Sequence, residues 1–108
     1  MEQNLYIGCN GQVAAIDPQT GEELWRTKLK PGVISATNYE DVSVIVRDGI
    51  VYAGCNGHLF ALSPEGRILW HNPLKGIGFN DISLAFEGQS IQYIQKTVHQ
   101  SSGSNSST

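Results

Sequence analysis

An internal repeat is the feature that most constrains what this chain can fold into. The phrase "GCNGQVAAIDPQTGEELW" at residues 8–25 returns as "GCNGHLFALSPEGRILW" at 54–70. A second, weaker repeat relates "YEDVSVIVRDG" at 39–49 to "FNDISLAFEGQ" at 79–89. The matched residues, which we predict to be structural, are Gly8 and Gly54, Asn10 and Asn56, Gly21 and Gly66, Trp25 and Trp70, and Asp41 and Asp81. One supersecondary unit is therefore present about twice.

Each unit has the pattern of four short strands joined by tight turns. The run "VSVIV" is continuous and β-branched, as in a strand buried on both faces. Asp-Gly and Asn-Gly are strong hairpin signals, and the Pro-Glu-Gly segment is a further turn. The strands predicted for the complete unit are 42–46, 50–55, 58–63 and 67–74. This pattern predicts an all-β, antiparallel four-stranded meander.

The chain does not contain a whole number of units. It begins at the second strand of one unit, "NLYIGC", and continues with "VAAID" and "ELWRTKL". A complete unit follows, and then the first two strands of a third, "ISLAF" and "SIQYIQKT". We therefore predict about nine strands within residues 1–97. Residues 98–108 are Ser-rich and polar, which predicts a disordered tail.

The pattern carried by residues 6–25 and 52–70 resembles the PQQ-like repeat of quinoprotein-type β-propellers. The resemblance covers about residues 4–97 and implies that each meander is one propeller blade. It also implies a structural role for Trp25 and Trp70, each large enough to fill the wedge between neighbouring blades. The repeat occurs in enzymes, assembly factors, sensors and scaffolds, so the resemblance implies the fold more strongly than the activity.

About two blades do not close a ring. Propellers have four to eight blades, and a lone pair leaves sheet faces and edges uncovered. The first resolution, which we favour, is a homo-oligomer whose copies complete a ring. A fragment of a longer propeller and a small open sandwich are the alternatives.

Candidate catalytic and metal-binding residues do not form a recognised pattern. The quinoprotein cofactor site includes two adjacent cysteines, whereas Cys9 and Cys55 are far apart in the sequence. The cysteines and His58, His71 and His99 show no metal-ligand spacing. Asp41 and Asp81 recur beside serines, which indicates a structural brace. We therefore predict no catalytic, cofactor-binding or metal-binding residues, and a protein that is not an enzyme.

Charge and hydropathy exclude two classes of partner. Seven Lys and Arg are scattered singly and the net charge is −3, so nucleic-acid binding is not predicted. No apolar stretch approaches a membrane span of about 20 residues. The N-terminus lacks the features of a signal peptide, and both cysteines are predicted to be free thiols. These features predict a cytoplasmic location.

The residues outside the repeat are where a specific function is expected. The connection at 30–41 is longer than its counterpart at 75–81. The residues it adds, which form a candidate interaction loop, are Ser35, Thr37, Asn38 and Tyr39. The sequence predicts a non-catalytic binding or scaffolding module that self-associates and that can bind a protein partner. The alternatives are a fragment of a larger propeller protein (a sensor, assembly factor or quinoprotein) and a small ligand- or glycan-binding ring.

Overall fold

A computed structural model of the chain describes residues 3–30 and 39–88. These residues form two antiparallel sheets in which strands adjacent in sequence are also adjacent in space. The first sheet contains β1 (Leu5–Cys9), β2 (Gln12–Ile16) and β3 (Glu23–Lys28). The second contains β4 (Ser43–Arg47), β5 (Ile50–Cys55), β6 (His58–Leu62) and β7 (Ile68–Asn72). The predicted all-β meander is confirmed.

The hairpin turns follow from their sequences. Asn10, Asp48 and Asn56 each have a positive φ, as do the glycines that follow them. Two consecutive residues with positive φ are typical of a type I′ turn, whose twist matches that of the flanking strands. Each of these turns therefore fixes the register of its hairpin, for example Cys9 opposite Gln12 and Cys55 opposite His58.

The start of the third unit differs from the prediction. Residues 82–86 were expected to form a strand, but the structure shows none there. A strand requires a partner for its backbone hydrogen bonds, and the predicted partner at 90–97 lies outside the described residues. Residues 82–86 nevertheless lie against the second sheet as the start of the second unit lies against the first. A Cβ atom on Gly54 would lie 2.7 Å from Ile82, and one on Gly8 would lie 2.7 Å from Val42.

The core lies between the two sheets. The inner face of the first sheet contributes Val13, which is fully buried, together with the partly buried Tyr6 and Trp25. The inner face of the second sheet contributes Val51, Ala53, Cys55, Phe60 and Leu62, all fully buried. Leu29, just after β3, completes the cluster. Burial of these apolar side chains holds the sheets face to face.

Trp25 makes the most specific contact between the sheets. Its indole Nε1–H donates a hydrogen bond of 2.9 Å to the carbonyl oxygen of Pro64 in the β6–β7 turn. Its ring covers Gly66, where a Cβ atom would lie 2.6 Å from the ring. Thr27 Oγ1 donates a 2.6 Å hydrogen bond to the Gly66 carbonyl oxygen beside it. The last strand of the first unit, β3, thus binds the β6–β7 turn of the second unit.

The residues equivalent to the two sides of this contact lie at opposite ends of the molecule, where the described residues do not pair them. Trp70, the counterpart of Trp25, lies on the outer face of the second sheet and is 46% exposed. Gly21, the counterpart of Gly66, lies in the β2–β3 turn, and a Cβ atom there would have nothing within 4 Å. The outer face of the first sheet also exposes Leu5, Ile7 and Leu24. Each sheet therefore presents an apolar outer face that the described residues do not fully cover.

Candidate interaction surface

One end of the two sheets brings together tight turns and the connections between units. Gly11 N–H donates a 2.8 Å hydrogen bond to the carbonyl oxygen of Glu40, so the first connection passes the β1–β2 turn. The second connection passes the β5–β6 turn, where Gly57 contacts the backbone of Gly78. We call this end the turn rim. Its described residues are Asn10, Gly11, Tyr39, Glu40, Asn56, Gly57 and residues 73–80.

Two large apolar side chains project from the turn rim. Ile77 is 64% exposed and Phe79 is 73% exposed. They are separated by Gly78, which has a φ of 107°. Two exposed apolar side chains within three residues make this loop a candidate contact with another protein.

The backbone beneath these side chains is held by local hydrogen bonds. Leu74 N–H donates to Asn72 Oδ1 at 2.8 Å, and Ile77 N–H donates to the Leu74 carbonyl oxygen at 2.9 Å. Gly57 packs directly on the carbonyl of Gly78. The loop is thus fixed at both its beginning and its end, which reduces the entropy lost when a partner binds.

Of the predicted interaction loop, the structure describes only the last residue. Tyr39 is 83% exposed and has a φ of 62°, and it lies on the turn rim. Ser35, Thr37 and Asn38 lie outside the described residues, so the interaction loop stays a prediction. The shorter second connection was not predicted to bind anything. Its signal in the sequence was an apolar pair, Ile77 and Phe79, on either side of Gly78 in a short connection between strands.

The remaining signature residues lie within the fold. Gly8 and Gly54 lie where the next unit approaches the sheet, and Asn10 and Asn56 lie in hairpin turns. Asp41 and Asp81 lie two residues before Ser43 and Ser83, at the entry to a unit. Asp41 is exposed and Asp81 is partly buried. Ser43 Oγ donates a hydrogen bond to the carbonyl oxygen of Ile82, and this bond links the two unit entries.

The thiols and imidazoles have contrasting environments. Both cysteines are free, with Cys9 exposed and Cys55 buried. Burial raises the pKa of the Cys55 thiol to about 12, and the nearby Glu40, Asp81 and Asp41 act in the same direction. Cys55 is therefore a neutral, unreactive thiol at neutral pH. On the inner face of β6 and β7, His58 Nδ1 lies 2.9 Å from His71 Nε2.

No three His, Cys, Asp or Glu side chains within residues 3–30 and 39–88 converge in a way that could hold a metal ion.

Nowhere in the described part of the chain does a helix reach the length and apolar character needed to cross a membrane.

Comparison with known proteins identifies a protein family that this chain matches. Residues 9–98 match the family model described as outer membrane protein assembly factor BamB. The chain is similar to the BamB of Burkholderia pseudomallei (strain K96243), with 31% identity over 109 residues that cover 89% of the chain. It is also similar to the Yersinia pestis BamB, with 34% identity over 77 residues covering 65% of the chain.

A solved structure supports the propeller architecture. The quinohemoprotein alcohol dehydrogenase from Comamonas testosteroni superposes on 79% of this chain with a TM-score of 0.58 and 25% identity. The match covers 14% of the dehydrogenase. The predicted PQQ-like repeat and partial β-propeller fold are confirmed by these similarities.

The same comparisons correct the predicted location. The chain spans only 26% and 19% of the length of the two BamB relatives. The prediction of a cytoplasmic location is wrong, because the matched relatives are outer membrane protein assembly factors. The prediction relied on the first residues of this sequence. Those residues cannot decide the location, because the chain matches only 26% of the length of its Burkholderia pseudomallei relative.

Proposed function

We propose, from the premise that this chain belongs to the family of the outer membrane protein assembly factor BamB, that it is a propeller segment of an assembly factor that binds a protein partner and catalyses no reaction. Its relatives are named for the assembly of outer membrane proteins, and we propose the same process for this chain at the cell envelope. The similarity to a dehydrogenase is of lower identity and supports the fold.

The observation that carries this proposal is the apolar pair Ile77 and Phe79 on the turn rim. Both side chains are more than half exposed on a backbone fixed by Asn72, Leu74 and Gly57. A rigid loop that presents an aromatic and an aliphatic side chain is suited to fill an apolar pocket on a partner. Side chains of this kind carry most of the binding free energy at protein interfaces.

We expect the double substitution I77S/F79S to weaken binding to the partner by roughly tenfold to a hundredfold. The test places the substitutions in the full-length gene as its only copy. It then measures the abundance of outer membrane proteins in the I77S/F79S cells. A separate variant carries benzoylphenylalanine at position 77, and its photocrosslink to the partner is compared with and without F79S. Fewer outer membrane proteins and loss of the crosslink in the F79S background are expected.

The matched control for this experiment is Leu69→Ser. Leu69 is 44% exposed, but it lies on β7 towards the opposite end of the sheet from the turn rim. L69S is expected to leave both readouts unchanged. Normal outer membrane protein levels and an undiminished crosslink in the I77S/F79S and F79S cells, with the variant protein present in normal amount, contradict the proposal.

A second candidate function, self-association, is favoured by Trp70 and Gly21, the counterparts of Trp25 and Gly66. A second copy can place its β2–β3 turn over Trp70, so that the indole donates to the Pro18 carbonyl oxygen and the ring covers Gly21. This contact joins different surfaces of the two copies, so it continues head to tail until a ring closes. Flanking blades of a longer chain satisfy the same two faces without self-association.

Light scattering on the isolated chain tests self-association. The expected mass exceeds the 11.8 kDa of the monomer and rises with concentration. Trp70→Ala removes the ring and the N–H donor from one end, and it is expected to shift the population towards monomer. A monomer at every concentration, or an oligomer that W70A leaves unchanged, rules out this mode of association.

A further inference from the structure

The two units differ in chemistry at one place on the sheet. The second unit has His58 and His71 where the first has Gln12 and Arg26. His58 begins β6, and His71 lies opposite Phe60 on β7, so both are on the inner face close to the turn rim. Both rings are partly exposed. Neither residue is required by the repeat, since the first unit forms the same hairpin without it.

The two imidazoles meet through their nitrogens. His58 Nδ1 lies 2.9 Å from His71 Nε2, and the ring centroids are 5.1 Å apart. One nitrogen donates its hydrogen to the lone pair of the other, so the pair shares a single proton at this contact. The ring of Phe60 stacks on His71 with centroids 4.6 Å apart, which fixes the orientation of that ring.

The environment keeps His71 in the form that binds metals. Burial lowers the pKa of His71, and the nearby His58 lowers it further. A neutral imidazole has a lone pair available at neutral pH, and neutral imidazole is the most common protein ligand of transition metals.

The separation of the rings is close to what a tetrahedral metal ion requires. With Zn–N bonds of about 2.05 Å, two imidazole nitrogens on one tetrahedral ion lie about 3.3 Å apart and their ring centroids about 5.2 Å apart. The centroids of His58 and His71 are already 5.1 Å apart. The two nitrogens are 2.9 Å apart, so an ion requires the side chains to rotate enough to open this distance to about 3.3 Å.

We propose that His58 and His71 form a two-histidine site for a divalent transition metal of the zinc class. The ion takes the place of the hydrogen between Nδ1 and Nε2, and the imidazole that donated this hydrogen becomes protonated on its other ring nitrogen by exchange with solvent. Solvent water supplies the remaining ligands. The bound ion links β6 to β7 beside the Asn56–Gly57 turn. Because that turn supports the loop that contains Ile77 and Phe79, the metal stiffens the base of the turn rim.

Thermal unfolding of the isolated chain with and without ZnCl₂ tests this site. The background is C9S/H99Q, which removes the exposed thiol and the third histidine. At zinc concentrations about tenfold above the dissociation constant, we expect the melting temperature to rise by roughly 5–10 °C. Titration calorimetry on the same protein is expected to give one zinc per chain.

The variants H58Q and H71Q are each expected to abolish this rise. Glutamine stands at the position of His58 in the first unit, so H58Q has a precedent in the same fold. Unfolding without zinc shows whether each variant is folded. Competition by protons makes the zinc effect weaker at pH 5 than at pH 7.5. No rise in the C9S/H99Q chain, or an equal rise in folded H58Q, overturns the proposal.

Discussion

Replacing Trp25 with alanine is expected to lower the free energy of unfolding by about 3 kcal/mol. The substitution removes the ring that covers Gly66, the 2.9 Å hydrogen bond to the Pro64 carbonyl, and part of the partly buried layer against the core. Thr27 Oγ1 also reaches the Gly66 carbonyl, but this small side chain cannot replace the area that the indole ring covers. For a chain of this size the melting temperature is expected to fall by roughly 12–20 °C.

The repeat supplies the control for this prediction. Trp70 is the same residue type at the same place in its unit, but its ring is 46% exposed. Urea unfolding of W70A at low protein concentration is expected to show a loss of about 1 kcal/mol. Trp25→Phe keeps the ring but removes the N–H donor, and its expected cost is about 1 kcal/mol. Equal losses in W25A and W70A contradict an inter-sheet role that is specific to Trp25.

The substitution Gly57→Ala is expected to cost more than about 3 kcal/mol of unfolding free energy, the sum of backbone strain and overpacking. Gly57 has a φ of 83°, and an alanine with positive φ is strained by about 1–2 kcal/mol. The new Cβ would also run into the carbonyl of Gly78, which is backbone and cannot rotate aside as a side chain does. The turn and the loop that presents Phe79 must therefore separate, so G57A is also expected to weaken partner binding.

Gly21→Ala separates the two causes of this loss. Gly21 has a φ of 80°, nearly the same as Gly57, but a Cβ atom there meets nothing within 4 Å. Its substitution is expected to cost only the backbone strain of about 1–2 kcal/mol. Denaturant unfolding of both variants gives the difference directly. If G57A is no more destabilised than G21A, the contact between the turn and the loop contributes nothing to stability.

Much of the fold follows from short-range patterns. The Asn-Gly and Asp-Gly turns and the β-branched runs predicted about nine strands, and the described residues form seven of them within about two residues of their expected ends. These signals are local, because turn type and alternation depend on neighbouring residues alone. The strand expected at 82–86 is absent, since a strand also requires a partner that local sequence does not supply.

The candidate site was less predictable than the fold. Loop length favoured an interaction loop in the connection at 30–41, and of that loop's four predicted residues the structure describes Tyr39, which is exposed. The exposed pair in the second connection, Ile77 and Phe79, was missed because apolar residues after a strand are ordinarily expected to face a core. In the structure the backbone of this connection passes over Gly57, and both side chains face solvent.

The sequence by itself determined the unit: its strands, its turns, and the recurrence of tryptophan and glycine at fixed positions. The tertiary structure decided what each copy of a residue does. Trp25 is partly buried because a following turn reaches it, whereas the identical Trp70 lies exposed on an outer face. His58 and His71, 13 residues apart in the sequence, meet because β6 and β7 pair in one register. Burial and contact depend on which surfaces approach one another, and a repeat carries the same letters whether or not a neighbour is present.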